Sequence, residues 1–241
     1  MQILSKKSIE LKINELLSEY SMLTEYPADK LADIIEDVGF KCTMCGKCCT
    51  KEFNEHVFLL DSDIDRAKKI NPSSIVPAPY FEVCDQHGNF YVSGYSLKCN
   101  KNGDCIFLKE NRCTIYDERF KICRIYPFML HREEDENGVK EFRQISGLNL
   151  HGEYNYPVKR KDAEEIARQT IEYEKEFLNK EIDFYRSILR HFENNGLKPV
   201  RRIYDLKMRE FHQNIPVNVF VFNKGIFEKN TVKKSDYIAE E

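Results

Sequence analysis

The sequence predicts an α+β fold: a small cysteine-rich metal-binding core with short β-hairpins, flanked by N- and C-terminal helices. Three observations predict it. All nine cysteines fall between Cys42 and Cys123. Apolar residues recur at helical spacing on both sides of that stretch. Within it, short apolar runs alternate with turn residues. The implied organisation is a helical segment over 1–38, a cysteine-cluster domain over 39–152, a helical region over 153–230 and a flexible tail over 231–241.

Residues 5–25 carry Ile9, Ile13, Leu16, Leu17, Tyr20 and Leu23 on one helical stripe. Pro27 opens a second short helix with Leu31, Ile34, Ile35 and Val38, and Gly39 ends it. Asp61-Ser62-Asp63 reads as the cap of a helix through Ile70, with acids near its positive end, and Asn71-Pro72 stops it. Residues 80–84 and 89–97 read as a hairpin across Asp85-Gln86-His87-Gly88. A second hairpin is expected from 128–132 and 139–145, around Asp135-Glu136-Asn137-Gly138. The pattern over 161–192 is helical, with Leu178, Ile182, Tyr185, Leu189 and Phe192 in a stripe that packs on something. Asn195-Gly196 caps it, a strand is expected over 217–222, and the polar chain after Asn230 is expected to fray.

The 241 residues are 41% hydrophobic and 32% charged, which suits a small core with solvated helices. Sixteen Phe and thirteen Tyr supply bulk for that core. The net charge of -3 gives no global field for nucleic acid or anionic lipid, so neither nucleic acid nor membrane is an expected partner. No run of about 18 apolar residues is present to span a bilayer. The N-terminal residues lack the apolar segment of a signal peptide. The expected address is cytoplasmic, a reducing compartment where clustered cysteines bind metal rather than form disulfides. Apolar stripes on the flanking helices leave a protein partner as one expectation beside docking on the core.

The densest signal is Cys42-Thr43-Met44-Cys45-Gly46-Lys47-Cys48-Cys49. A C-x2-C turn aims two sulfurs at one ion, and soft thiolates suit zinc, Cu(I) or iron–sulfur units. Cys42, Cys45 and Cys48 have the three-cysteine spacing that begins a bacterial ferredoxin motif, but Cys49 follows at once and the motif does not continue. Cys99, Cys105, Cys113 and Cys123 supply a second group of four. The spacing is compatible with two four-thiolate sites, or with one cluster and spare thiols. Cys84, in a strand-like segment, reads as a core residue. His56 and His87 are further candidates, though an ordinary exposed or hydrogen-bonded imidazole is the expectation for each. Asp61, Asp63 and Asp65 alternate as in a calcium loop but lack its glycine, so helix capping is expected. The sequence holds no phosphate-cradling loop, dinucleotide fingerprint or nucleophile elbow.

These residues form an ordered series: the Cys42–Cys49 run, then Cys105-Ile106-Phe107-Leu108, Cys113-Thr114-Ile115-Tyr116, Arg119, and Cys123-Arg124-Ile125-Tyr126-Pro127-Phe128. Over about residues 40–150 the series resembles the YkgJ-like CxxCxxCC cysteine-cluster family, a zinc- or iron-chelating domain. The resemblance implies a metal or iron–sulfur centre built from both cysteine groups; with Cys99 from the second group of four, the candidate ligands are Cys42, Cys45, Cys48, Cys49, Cys99, Cys105, Cys113 and Cys123. Flagellin lysine methylases look like distant relatives, which adds a protein-methylating activity to the readings. Two departures stand out. Phe120 follows Arg119 where many members have proline, and Ile145-Ser146-Gly147 stands where many have Cys-Pro-Gly, a place for which Cys99 is expected to compensate. Among the nearby cations Lys41, Lys47, Lys51 and Arg124, the resemblance singles out Arg124 to offset thiolate charge at the cofactor. Tyr126, Pro127 and Phe128 are expected to wall the site. The favoured cofactor is an iron–sulfur cluster in a redox or maturation role, with zinc in a structural role as the alternative.

Overall fold

The structure is a computed structural model that describes residues 5–53, 55–134, 136, 140–144 and 150–239. It is α+β, with long helices toward both ends and several small sheets between them. Helix α1 spans Lys6–Thr24 and begins at Ser5, whose hydroxyl accepts the Ser8 N–H. Helix α2 spans Ala28–Val38, directly after Pro27. After the cysteine run come β1 (Phe58–Leu59) and α3 (Asp61–Ile70). The acids of α3 stand in its first turn as expected, but they do not cap it. Asp63 accepts the Lys121 N–H at 3.0 Å, and Asp61 pairs with Lys180. The acids are drawn away from the helix end because they tie it to neighbouring elements.

Strands β2 (Ile75–Pro77), β3 (Val83–Cys84), β4 (Phe90–Val92) and β5 (Tyr95–Leu97) follow. The first expected hairpin forms only in part. Val83 and Cys84 pair with Tyr91 and Phe90, and the Asp85 carboxylate gathers the N–H groups of His87 and Asn89. The chain then turns at Ser93-Gly94, and β5 joins a different sheet, ordered β1-β5-β2. Both β4 and β5 are buried on every residue. A two-stranded hairpin leaves a face open, so each becomes an inner strand of its own sheet.

Next come β6 (Leu108–Lys109), β7 (Arg112–Cys113), the short helix α4 (Lys121–Ile125), β8 (Leu130–Glu134) and β9 (Lys140–Gln144). β8 and β9 pair in the expected second hairpin. Residues 135 and 137–139 of its turn, and Ile145-Ser146-Gly147, lie outside the described residues.

Helix α5 (Arg160–Asn194) carries the expected stripe. Leu178, Ile182, Tyr185 and Phe192 are buried in the molecule's own core against Ile9, Leu16, Leu31 and Ile35 of α1 and α2. Helix α6 (Arg201–His212) was not expected. It precedes β10 (Val217–Asn223) and β11 (Ile226–Val232), which extend a sheet ordered β11-β10-β4-β3, with β10 parallel to β4. The expectation of a frayed end is corrected here. A 3-10 turn follows over Lys234–Tyr237, Ala239 is buried, and its N–H donates to the Cys99 carbonyl at 2.7 Å. Backbone pairing holds this polar segment, and composition does not report such pairing. No helix among the described residues is long and apolar enough to cross a membrane.

Candidate metal centre

Backbone pairing brings the two cysteine groups together. Cys105 N–H donates to the Cys49 carbonyl at 2.7 Å, and Lys51 N–H to the Gly103 carbonyl at 2.8 Å. Asn100 builds the turn beside them, its side-chain oxygen accepting the N–H groups of Asn102 and Asp104. The β6–β7 hairpin, closed by Glu110 and Asn111 with φ of 48° and 59°, folds Cys113 back beside Leu108. Helix α4 then presents Cys123. Gly46, at φ 78°, starts the 3-10 turn that carries Cys48 and Cys49. Only a left-handed residue makes that turn cheaply.

The result is one cavity of about 90 Å³ lined by Cys42, Cys45, Cys48, Cys49, Cys105, Cys113 and Cys123. Its apolar wall includes Phe40, Phe107, Phe120, Met129 and the expected Tyr126. Cys99 is not in the lining. It is 8% exposed and pairs through its backbone with Cys105 and Ile238, which fixes it behind the site. Cys84 is buried in β3, as expected of a core residue. All nine cysteines are free thiols.

Four of the seven sulfurs meet the amide two residues on. Met44 N–H lies 3.4 Å from Cys42 Sγ. The amides of Lys47, Phe107 and Ile115 serve Cys45, Cys105 and Cys113. Such amides favour thiolate over thiol and are the usual partners of metal-bound sulfur. At Cys45 burial opposes ionisation, but the Lys47 and Gly152 amides, the Thr43 side chain and the Lys47 charge outweigh it and the thiol sits below its ordinary range. Burial pushes Cys105 up to about 12 and also raises Cys113 and Cys123. Cys48 and Cys49 share a hydrogen bond that raises the first and lowers the second to about 7, with Arg119 assisting at Cys49. Cys49 is also felt by Cys105, Cys113 and Cys123, which makes it the hub of the two groups.

The cation at the cavity is Arg119. It lines the space, stacks 3.9 Å over the Tyr116 ring and donates through Nε to the Tyr116 carbonyl. Arg124 is corrected: it lies in a separate cleft with Lys121, Gln169, Glu172 and Glu176. Successive residues of a helix project about 100° apart, so α4 cannot turn Cys123 and Arg124 to the same side. Phe120 departs from proline in sequence but adopts φ -62°, the value a proline would fix. His87 stays in its turn, away from the cavity. His56 and the unanticipated His151 both line it. Lys47 reaches the Leu150 carbonyl at 3.3 Å, which draws the His151 loop to the first cysteine turn.

The donor chemistry fits a thiophilic metal. Among the described residues no three Cys, His, Asp or Glu side chains converge to grip a single ion. The sulfurs instead surround a space well above the roughly 10–15 Å³ that one water needs. A family model described as "CxxCxxCC: Putative zinc- or iron-chelating domain" matches residues 41–145. No curated protein and no solved structure matches the chain. Residues 41–145, which bring both cysteine groups to one cavity, are thus the part of the chain that is similar to the CxxCxxCC family.

Proposed function

We propose that this chain is an iron–sulfur protein that holds a cluster in the thiol-lined cavity and acts in electron transfer or in maturation of another protein. The observation that carries the reading is that seven thiols line one cavity of about 90 Å³. A multi-atom cluster spreads its ligands over several metal atoms, whereas one tetrahedral zinc draws four ligands to a point. When bound, such a cluster supplies a reversible store for one electron.

The chain's own residues would do the rest. Cys49, Cys105, Cys113 and Cys123 form one electrostatically linked set to which Cys42 and Cys48 also couple, and Cys45 lines the same cavity. Arg119 and the turn amides offset thiolate charge. Phe107, Phe120, Tyr126 and Met129 exclude water, which strengthens those interactions. Met44 and Cys45 are exposed at the rim, where a protein partner would approach. Nine thiols without a disulfide suit the cytoplasm.

Anaerobic purification with metal and sulfide analysis and a visible spectrum tests the reading. Iron with acid-labile sulfide and a broad visible band is the expected result. A colourless protein with stoichiometric zinc would overturn it in favour of a structural zinc site.

A further inference from the structure

His151 is 7% exposed and lines the cysteine cavity. Its Nε2 lies 2.6 Å from the Tyr126 hydroxyl. Its Nδ1 is buried and has no hydrogen-bond partner among the described residues. Leaving a buried ring nitrogen unpartnered is costly, so its retention calls for a partner that the described residues do not supply.

We infer that His151 is a further ligand of the cysteine centre, binding through Nδ1, so that the donor set mixes thiolate and imidazole. This rests on the metal-centre reading above but not on the choice of iron over zinc.

The ring is held in place by its loop. Lys41 N–H donates to the Glu153 carbonyl at 2.8 Å, and Glu153 N–H returns to Lys41 at 3.0 Å. Gly152 N–H serves Cys45 Sγ. Gly152 has φ 74°, and a Cβ there would fall 2.3 Å from the Phe40 ring. Only glycine lets the loop press this closely against the first cysteine turn. Phe53 and Tyr126 pack against the imidazole, with ring centroids 5.0 and 5.3 Å away.

The tautomer follows from this setting. With its proton on Nε2 the ring donates to Tyr126 Oη and leaves the Nδ1 lone pair free. Metal-bound histidines use this division of labour, one nitrogen on the metal and the other donating to a fixed acceptor. Coordination then transfers no proton and no electron; the Nδ1 lone pair forms one dative bond. A neutral imidazole in place of a thiolate makes the centre one charge less negative. In an iron–sulfur centre that change raises the reduction potential. It also answers the Ile145-Ser146-Gly147 departure, since a non-thiol donor stands shortly downstream.

His56 lines the same cavity, and its Nδ1 is likewise buried and unpartnered among the described residues. It is therefore the rival nitrogen donor, and what sets His151 apart is the loop that ties it to the first cysteine turn. X-ray absorption at the edge of whichever metal the full chain binds is compared for wild type, His151→Ala and His56→Ala. We expect wild type to need one nitrogen scatterer at about 2.0–2.1 Å among sulfurs at about 2.3 Å, taking zinc distances as the guide. His151→Ala should lose that nitrogen and His56→Ala keep it. An all-sulfur shell in wild type, or a nitrogen that survives His151→Ala, overturns the inference. If His151→Ala does not fold, cobalt(II)-loaded His56→Ala protein labelled with 15N-histidine is read by pulsed EPR. A directly coordinated nitrogen coupling upholds the inference, and its absence ends it. Wild-type protein that binds no metal sinks this inference and the metal reading together, whereas metal bound by sulfur alone sinks only this one.

Discussion

Around α1, α2 and α5 the interior is hydrocarbon: Leu23, Leu31, Ile35, Leu178 and Ile188 are fully buried on helices of 11 to 35 residues. Around the cysteine cavity the elements are two- and three-residue strands, 3-10 turns and a five-residue helix, and seven thiols face a space. The first region follows the ordinary rule that area removed from water stabilises by about 25 cal/mol per Å². The second has too little regular structure to rely on that rule alone. It shares an apolar backing with the rest of the molecule, through Phe107 and Phe120, but its inner face is built for a soft metal. One chain thus combines a part that holds by burial with a part shaped to be completed by an inorganic centre.

The comparison breaks most visibly at Cys49, where the two cysteine groups meet. Cys49→Ser, or stripping the metal with a chelator, should lower metal content and cost several kcal/mol of stability, up to on the order of 10. Cys84→Ser, in the core, should leave metal content unchanged. Metal analysis with urea unfolding reads both, and full metal retention in Cys49→Ser would refute the hub assignment. Leu31→Ala tests the other region. It should cost about 2–5 kcal/mol through the cavity it leaves, with bound metal per folded molecule unaltered. A parallel loss of metal would show that the two regions are not separable in this way.

The smaller effect lies on α5. Burial pushes Glu181 of α5 up to about 7, beside Glu82 and with Lys12 and Lys180 nearby. The folded state therefore holds a proton that the unfolded chain releases near pH 4.3. The favourable contribution is complete below that pH and is lost as pH rises through about 7. Glu181→Gln should flatten the slope of stability over that window and add roughly 3 kcal/mol above it. Denaturation midpoints at pH 5 and pH 8 check this; an unchanged slope would remove Glu181 as its source.

Long-period features were legible in the sequence. The stripes of Ile9, Ile13, Leu16 and of Leu178, Ile182, Tyr185 repeat over several turns, so packing and pattern agree. The cysteines were legible because so many thiols at that density have few other uses. Arg119 and Arg124 were harder to separate, since both belong to the motif and only the folded path decides which one faces the sulfurs, Arg119 standing ahead of α4 and Arg124 on it. His151 carries no spacing signal, because a loop pinned by Lys41, Lys47 and Gly152 delivers it. Helix α6 had a readable stripe in Tyr204, Met208 and Phe211, but its many charges masked it. Residues 233–239 are mostly polar, and the pairing of Tyr237–Ala239 with Cys99 is one that no local pattern reveals.

The hydrogen bond from Cys105 to the Cys49 carbonyl closes the loop between residues 49 and 105. Ring closure on that scale carries an entropic penalty on the order of 3–4 kcal/mol. Main-chain pairing at residues 49–51 and 103–105 offsets part of that penalty. Whatever binds between the two cysteine groups is thereby relieved of part of the cost of gathering a scattered chain.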